Sequence, residues 1–238
     1  MSSDSELTAT MSPTRLKDAH IDRAKSPVDS ARIAMDAGTL RLRQSRCKRL
    51  IDIAGALTGL LFLSPFLVIV ATMICIDSPG PVFFRQRRTG RDGVPFLIYK
   101  FRTMRVLEDG AKVVQASKKD SRVTRVGKFL RRSSIDELPQ LLNVLKNEMS
   151  LVGPRPHALA HDEYYALTVP SYNDRFRTKP GITGLAQVSG LRGEVIEVAA
   201  MAARIQRDVE YICDWSIVRD LEILARTFMM GPYQPGAY

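Results

Sequence analysis

The chain has 238 residues, enough for one domain with an appendage and a sizeable core. Hydrophobic residues at 45% exclude wholesale disorder, and three widely spaced cysteines (Cys47, Cys75, Cys213) exclude a disulfide framework or a zinc knuckle. The net charge of +10 points to a polyanionic partner: nucleic acid, an acidic membrane surface or a phosphorylated substrate.

The charge is uneven. Residues 1–40 carry a net −1. Residues 41–132 hold 20 basic and 6 acidic side chains, a net +14, and residues 133–238 carry −3. Residues 1–44 read as a mostly disordered tail, with a transient helix near residues 30–35 and no cleavable-signal core.

Residues 53–76 are 24 positions without a charge, which points to a membrane segment rather than a core helix. Ser64-Pro65 interrupts the run at its middle. The proline removes a backbone donor, and Ser64 can hydrogen-bond the carbonyl it frees. Both flanks are basic, with Arg41, Arg43, Arg46, Lys48 and Arg49 before and Arg85, Arg87, Arg88 and Arg91 after. The positive-inside rule would keep both ends on the cytoplasmic side. A re-entrant hairpin over residues 45–78 meets that condition. A proline-kinked spanning helix stays open on the residues alone.

Residues 79–238 read as a cytoplasmic catalytic domain. Residues 82–87 and 94–102 are rich in aromatic and β-branched residues around Gly90 and Asp92-Gly93, a β-hairpin signal. Basic side chains on it, Lys100 and Arg102 among them, are candidates for lipid headgroups or a substrate phosphate. In residues 122–157, Leu138, Leu141, Leu142 and Leu145 fall at helical spacing. Ser134 to Glu137 reads as a capping box, although Pro139 suits a helix start at Ile135 or Asp136 better.

Asp136-Glu137 also carries a chemical reading. An aspartate can attack phosphorus, and an adjacent glutamate can hold Mg²⁺. Arg131 and Arg132 stand just upstream to clamp a diphosphate. Pro154-Arg155-Pro156 holds one arginine in a stiff loop. His157 and His161 lack a third ligand, so no metal is assigned to them. Residues 197–213 and 217–230 read as amphipathic helices, the second capped by Ser216 and closed by Gly231.

Together these residues resemble the bacterial sugar transferases, monotopic polyprenyl-phosphate hexose-1-phosphate transferases. The resemblance covers about residues 46–230. It rests on KRLIDI with the Ser64-Pro65 break, PVFFRQRRTGRDGVPFLIYKFRTM, VGKFLRRSSIDELPQLLNVLKNEMSLVGPRP, KPGITGLAQVSG and the terminal D-x-x-Y-x-x-x-W-S. It implies a helix-rich α+β fold: a small monotopic membrane enzyme with an N-terminal re-entrant helix hairpin, a β-hairpin and amphipathic interfacial helices. It resembles a short, exopolysaccharide-priming form without the extra transmembrane bundle of larger relatives.

The implied reaction moves a hexose 1-phosphate from a UDP-sugar to undecaprenyl phosphate and releases UMP. In it Asp136 is the nucleophile, Glu137 serves with Mg²⁺, and Arg131 and Arg155 contact phosphate or nucleotide. The implied location is the cytoplasmic face of the bacterial inner membrane, among membrane lipids. No nucleic-acid partner is expected, and a homo-oligomer is left open. A nucleic-acid-binding protein would explain the charge but not residues 53–76. A non-catalytic membrane adaptor would leave the acidic pair and its arginines as coincidences. Nothing in the sequence selects the sugar.

Overall fold

The computed structural model describes residues 27–105, 120–193 and 197–231. Its helices are α1 (Pro27–Gln44), α2 (Arg46–Asp77), α3 (Arg125–Ser133), α4 (Leu141–Leu145), α5 (Leu159–Thr168), α6 (Leu185–Val188), α7 (Val198–Cys213) and α8 (Ile217–Met230). Its strands are β1 (Phe83–Thr89), β2 (Pro95–Phe101), β3 (Ser150–Val152) and β4 (Gly181–Thr183). The helix-rich α+β expectation holds. β1 and β2 form an antiparallel hairpin in which Phe84 faces Lys100 and Thr89 faces Pro95, while β3 and β4 pair in parallel.

The apolar run lies in α2, 32 residues long, or about 48 Å at ~1.5 Å per residue. The helix runs on through Pro65 instead of splitting into two helices. Pro65 cannot donate to the Leu61 carbonyl, four residues back. The Ser64 hydroxyl does so instead, at 2.8 Å. Ser45 caps the start by accepting from the Lys48 amide at 3.1 Å.

Two separate stretches of α2 dock on the rest of the protein. In the first, Asp52 accepts from the Ser150 hydroxyl and the Leu151 amide, each at 2.9 Å. Four residues on, Ala56 packs with Phe96, Ile98, Leu141, Val144 and Met149. In the second, Val70 and Ile74 pack on Phe101 and Leu130, and Asp77 accepts from the Val126 amide at 3.1 Å. Between them Leu61 and Phe62 are 73% and 77% exposed, so the middle of α2 has no protein cover. A core helix would be buried on every side.

The stretch expected as a disordered tail holds α1 from residue 27 onward; residues 1–26 lie outside the described residues. Met35, Gly38, Thr39 and Leu42 recur at helical spacing and turn inward. Met35 and Leu42 join a core with Val152, Tyr211, Ile212, Trp215 and Ile223. At Gly38 an added Cβ would lie 2.1 Å from the Ile212 carbonyl oxygen, so only glycine lets α1 and α7 approach this closely.

The two C-terminal helices fall as expected, and Ser216 accepts from the Arg219 amide. Tyr211, Trp215 and Asp220 meet Lys48 of α2. Lys48 donates to Asp220 at 2.7 Å, and Tyr211 and Trp215 donate to the same carboxylate. This fully engaged buried charge ties the start of α2 to α7 and α8.

Candidate active site

Asp136 and Glu137 lie in a short 3₁₀ turn, Ile135–Gln140, between α3 and α4. The start at Ile135 suits Pro139. The expected capping box does not form: Ser134 has φ +59°, and its hydroxyl accepts from Arg192 at 2.7 Å instead of capping the turn. Glu137, freed of a capping role, points to two cations. Lys100, near the end of β2, donates to its Oε1 at 2.9 Å. Arg155 donates to both carboxylate oxygens, the Oε2 contact being 3.0 Å.

The two acids are buried side by side and titrate in opposite directions. Burial pushes Asp136 up to about 6, helped by the charge of Glu137 and opposed by Lys100, Arg131 and Arg155. Burial acts on Glu137 too. There Arg155 and Lys100 outweigh it and hold the carboxyl well below its usual range. Glu137 is therefore a fixed anion clamped by cations. Asp136 forms no hydrogen bond or ion pair among the described residues, which leaves its oxygens available to an electrophile.

Arg155 is held from behind. Gly153 lets β3 pass close to β4, where a Cβ would meet the Lys179 carbonyl at 2.6 Å. The Arg155 carbonyl accepts from Arg175, whose guanidinium pairs with Asp208 at 3.0 Å in a fully buried setting. His157, Tyr172 and Asp162 complete this layer, with the Tyr172 hydroxyl donating to Asp162 at 2.6 Å. His157 lies 2.7 Å from that hydroxyl.

Of the residues singled out in the sequence, Asp136, Glu137, Lys100 and Arg155 come together. Arg131, in the last turn of α3, is near enough to oppose the rise of Asp136 without bonding to the acids. Arg102 lies elsewhere. It is 3% exposed and donates to the Ser78 carbonyl and hydroxyl and to the Pro79 carbonyl. Its terminal nitrogens bond to the end of α2 while its Nε has no partner among the described residues, so it braces α2 and does not join the acid pair. Arg192 was not singled out. It reaches the pair from the loop after α6, and its charge lowers Glu137. Its only local signal was a position just beyond the Gly190 turn.

Among the described residues no group of three or more His, Cys, Asp or Glu side chains could cage a metal. Mg²⁺ is commonly held by one or two carboxylates with substrate phosphates completing its shell. Two adjacent carboxylates without a full cage fit that pattern.

The bacterial sugar transferase model matches residues 43–231, which spans all of these groups. A UDP-glucose:undecaprenyl-phosphate glucose-1-phosphate transferase of Caulobacter vibrioides is 54% identical over 180 residues, covering 76% of this chain and 67% of that protein. An enzyme of the same name from Escherichia coli K12 is 49% identical over 191 residues, covering 80% of this chain but only 41% of the relative. An exopolysaccharide production protein of Rhizobium leguminosarum is 49% identical over 184 residues, 76% of this chain and 92% of the relative. The chain belongs to the bacterial sugar transferase family.

Proposed function

We propose that the chain transfers glucose 1-phosphate from UDP-glucose to undecaprenyl phosphate at the cytoplasmic face of the bacterial inner membrane, as the first step of an exopolysaccharide. The observation that carries this reading is the split acid pair: a free Asp136 beside a Glu137 locked between Lys100 and Arg155. The substrates named for the Caulobacter and Escherichia relatives support the choice of UDP-glucose and undecaprenyl phosphate.

In this reading an Asp136 oxygen attacks the phosphorus bearing the sugar. An O–P bond forms, the bridging P–O bond breaks, and UMP leaves with the electron pair. A phosphate oxygen of undecaprenyl phosphate then attacks the same phosphorus and expels Asp136, leaving a lipid-linked diphosphate sugar. Lys100 and Arg155 face the phosphate oxygens as charge builds on them. Glu137 keeps those two cations in place and would hold Mg²⁺, whose chemistry when bound is to neutralise phosphate charge.

The docking of both ends of α2 on one body supports the re-entrant reading. A helix crossing a ~30 Å hydrocarbon core would carry one end to each side. Asp52 and Asp77 both bond to the same body. The exposed middle, with Leu61 and Phe62, then enters lipid.

The test is incubation of the full chain with UDP-glucose, other UDP-sugars, Mg²⁺ and undecaprenyl phosphate. UMP and a lipid-linked sugar diphosphate are expected, with UDP-glucose the best donor. Asp136→Asn should abolish turnover. Without the lipid, one equivalent of UMP should be released as the sugar phosphate stays on the protein. UMP release that requires the lipid, with no labelled protein, would reject the covalent step.

A further inference from the structure

The acid pair occupies one end of the β1–β2 hairpin, and a second basic cavity occupies the other. It has a volume of about 240 Å³ and lies between the start of α2, the hairpin tip and the entry to β4. Five cations line it together: Arg43, Arg46, Arg49, Arg91 and Lys179. Lys48 also reaches its wall but is neutralised by Asp220. The one carboxylate among the lining residues, Asp52, accepts from Ser150 and Leu151 and offsets only one of these charges.

The fold leaves this positive charge largely uncompensated. Arg43 and Arg91 share Asp92 at the hairpin tip. Arg49 donates to the carbonyls of Val144 and Leu145, and Lys179 to the side-chain oxygen of Asn147, all of them neutral acceptors. Arg46 forms no hydrogen bond or ion pair among the described residues. Holding like charges together in a concavity costs free energy that a bound anion would recover. Lys179 registers that cost. Burial, then the charges of Arg49 and Arg91, push it down to about 8.

The cavity is separate from the acid pair. The seven-residue hairpin strands are about 20 Å long at ~3.3 Å per residue, with Lys100 near one end and Arg91 at the other. None of Lys100, Asp136, Glu137 and Arg155 lines the cavity, although Thr178 lines both it and the small pocket beside Arg155. At about 240 Å³ it is smaller than the ~300–1,000 Å³ clefts that take drug-sized ligands, so its occupant is small.

We infer that this cavity is a second anion site that binds a phosphate group, either of an anionic lipid headgroup or of a small soluble phosphate. It lies at the polar start of the apolar helix, where lipid phosphates and soluble ones are both in reach. The inference goes beyond the transfer reaction and does not depend on it.

The test reads acylation of Lys179 and Lys100 by an amine-reactive ester at about pH 8, by peptide mass spectrometry on the full chain. A bound anion favours the charged, unreactive amine, so Lys179 should react about threefold or more slowly when the site is filled. One arm adds inorganic pyrophosphate to the detergent-solubilised protein. The other compares vesicles of phosphatidylcholine alone with phosphatidylcholine containing phosphatidylglycerol. Protection by pyrophosphate assigns the site to soluble phosphates, and protection only with phosphatidylglycerol assigns it to lipid.

Arg46→Gln with Arg91→Gln should remove the protection at Lys179, leave the response of Lys100 unchanged and retain UMP release. Equal acylation of Lys179 in every arm overturns the inference, as does protection that survives the double substitution. Loss of UMP release on Asp136→Asn tests the other reading separately.

Discussion

Glu137 sits between Lys100 and Arg155, and Asp136 beside it bonds to neither. Removing the charge of Glu137 would leave two largely buried cations without their partner. Glu137→Gln should therefore cost about 3 kcal/mol of stability as well as turnover, read from the denaturant midpoint and from UMP release. A variant as stable as the parent would show that solvent already screens these charges. Behind Arg155, His157 is held well below 6.5, first by burial and then by Arg175, Arg204, Arg88 and Arg155. An unfolded histidine takes its proton near 6.5 and the native one does not. Stability should therefore fall as pH drops below about 6.5, by at most about 1.4 kcal/mol per pH unit from this group. His157→Gln should remove that share of the slope; denaturant midpoints at about pH 7.5 and 5.5 compare the two proteins. An identical slope in the variant would reject the assignment. Asp136, Glu137 and Arg155 stood out because the acids are adjacent and the arginine carries a stiff Pro-Arg-Pro signature, whereas Lys100 was one of several basic hairpin residues. Arg192 and the Arg175–Asp208 layer were not, because nothing local marks an arginine that will meet a carbonyl or carboxylate far along the chain. Arg102 shows the same limit: a basic residue beside a strand looks alike whether it faces phosphate or the end of a helix.

At the scale of elements, local pattern placed the hairpin and the last two helices well, since turn residues and apolar spacing lie within each segment. It underestimated α1, whose helical state depends on α7, a partner about 170 residues away. The family model begins at residue 43, so most of α1 lies outside the matched stretch. Gly38 decides this contact. Gly38→Ala would set a methyl 2.1 Å from the Ile212 carbonyl oxygen, and backbone on both sides leaves little room to yield. The substitution favours the isolated helix but should cost about 1–3 kcal/mol through overpacking. Hydrogen exchange over α1 is the measure: amides of residues 27–44 should lose protection while those of α4 keep theirs. Unchanged protection would mean that α1 and α7 can separate slightly without loss. The break in α2 shows the opposite relation between residue and element. Proline predicts an interruption at residue 65; helical hydrogen bonding resumes on both sides of it, with the Ser64 hydroxyl taking over the Leu61 carbonyl.

For the whole molecule, the segregated charge and the exposed apolar middle of α2 support the proposed position at a membrane. The net +14 of residues 41–132 lies on both sides of residues 53–76, so both ends of the helix favour an anionic surface. Their attachment to one body supplies the same constraint mechanically: Lys48 is locked to Asp220 and Asp77 to the Val126 amide. A spanning arrangement would have to break one of these attachments, the buried Lys48–Asp220 pair being the costlier. Cysteine probes therefore give a sharp expectation in a background with Cys47, Cys75 and Cys213 replaced. A probe at Gly93, on the hairpin tip, and one at Ile33, on the exposed side of α1, should both react only with a reagent that enters the cytoplasm. Reaction of either from the periplasmic side would place the two ends of α2 on opposite faces. Pro65→Leu sharpens the measurement. It restores the donor to the Leu61 carbonyl and favours a straight helix, about 36 Å over its 24 uncharged residues and long enough to cross. If the same-side arrangement depends on the break, the variant should move the Ile33 probe to the periplasmic side in part of the population. If docking of the two arms suffices, both probes stay cytoplasmic and the Lys48–Asp220 attachment carries the topology.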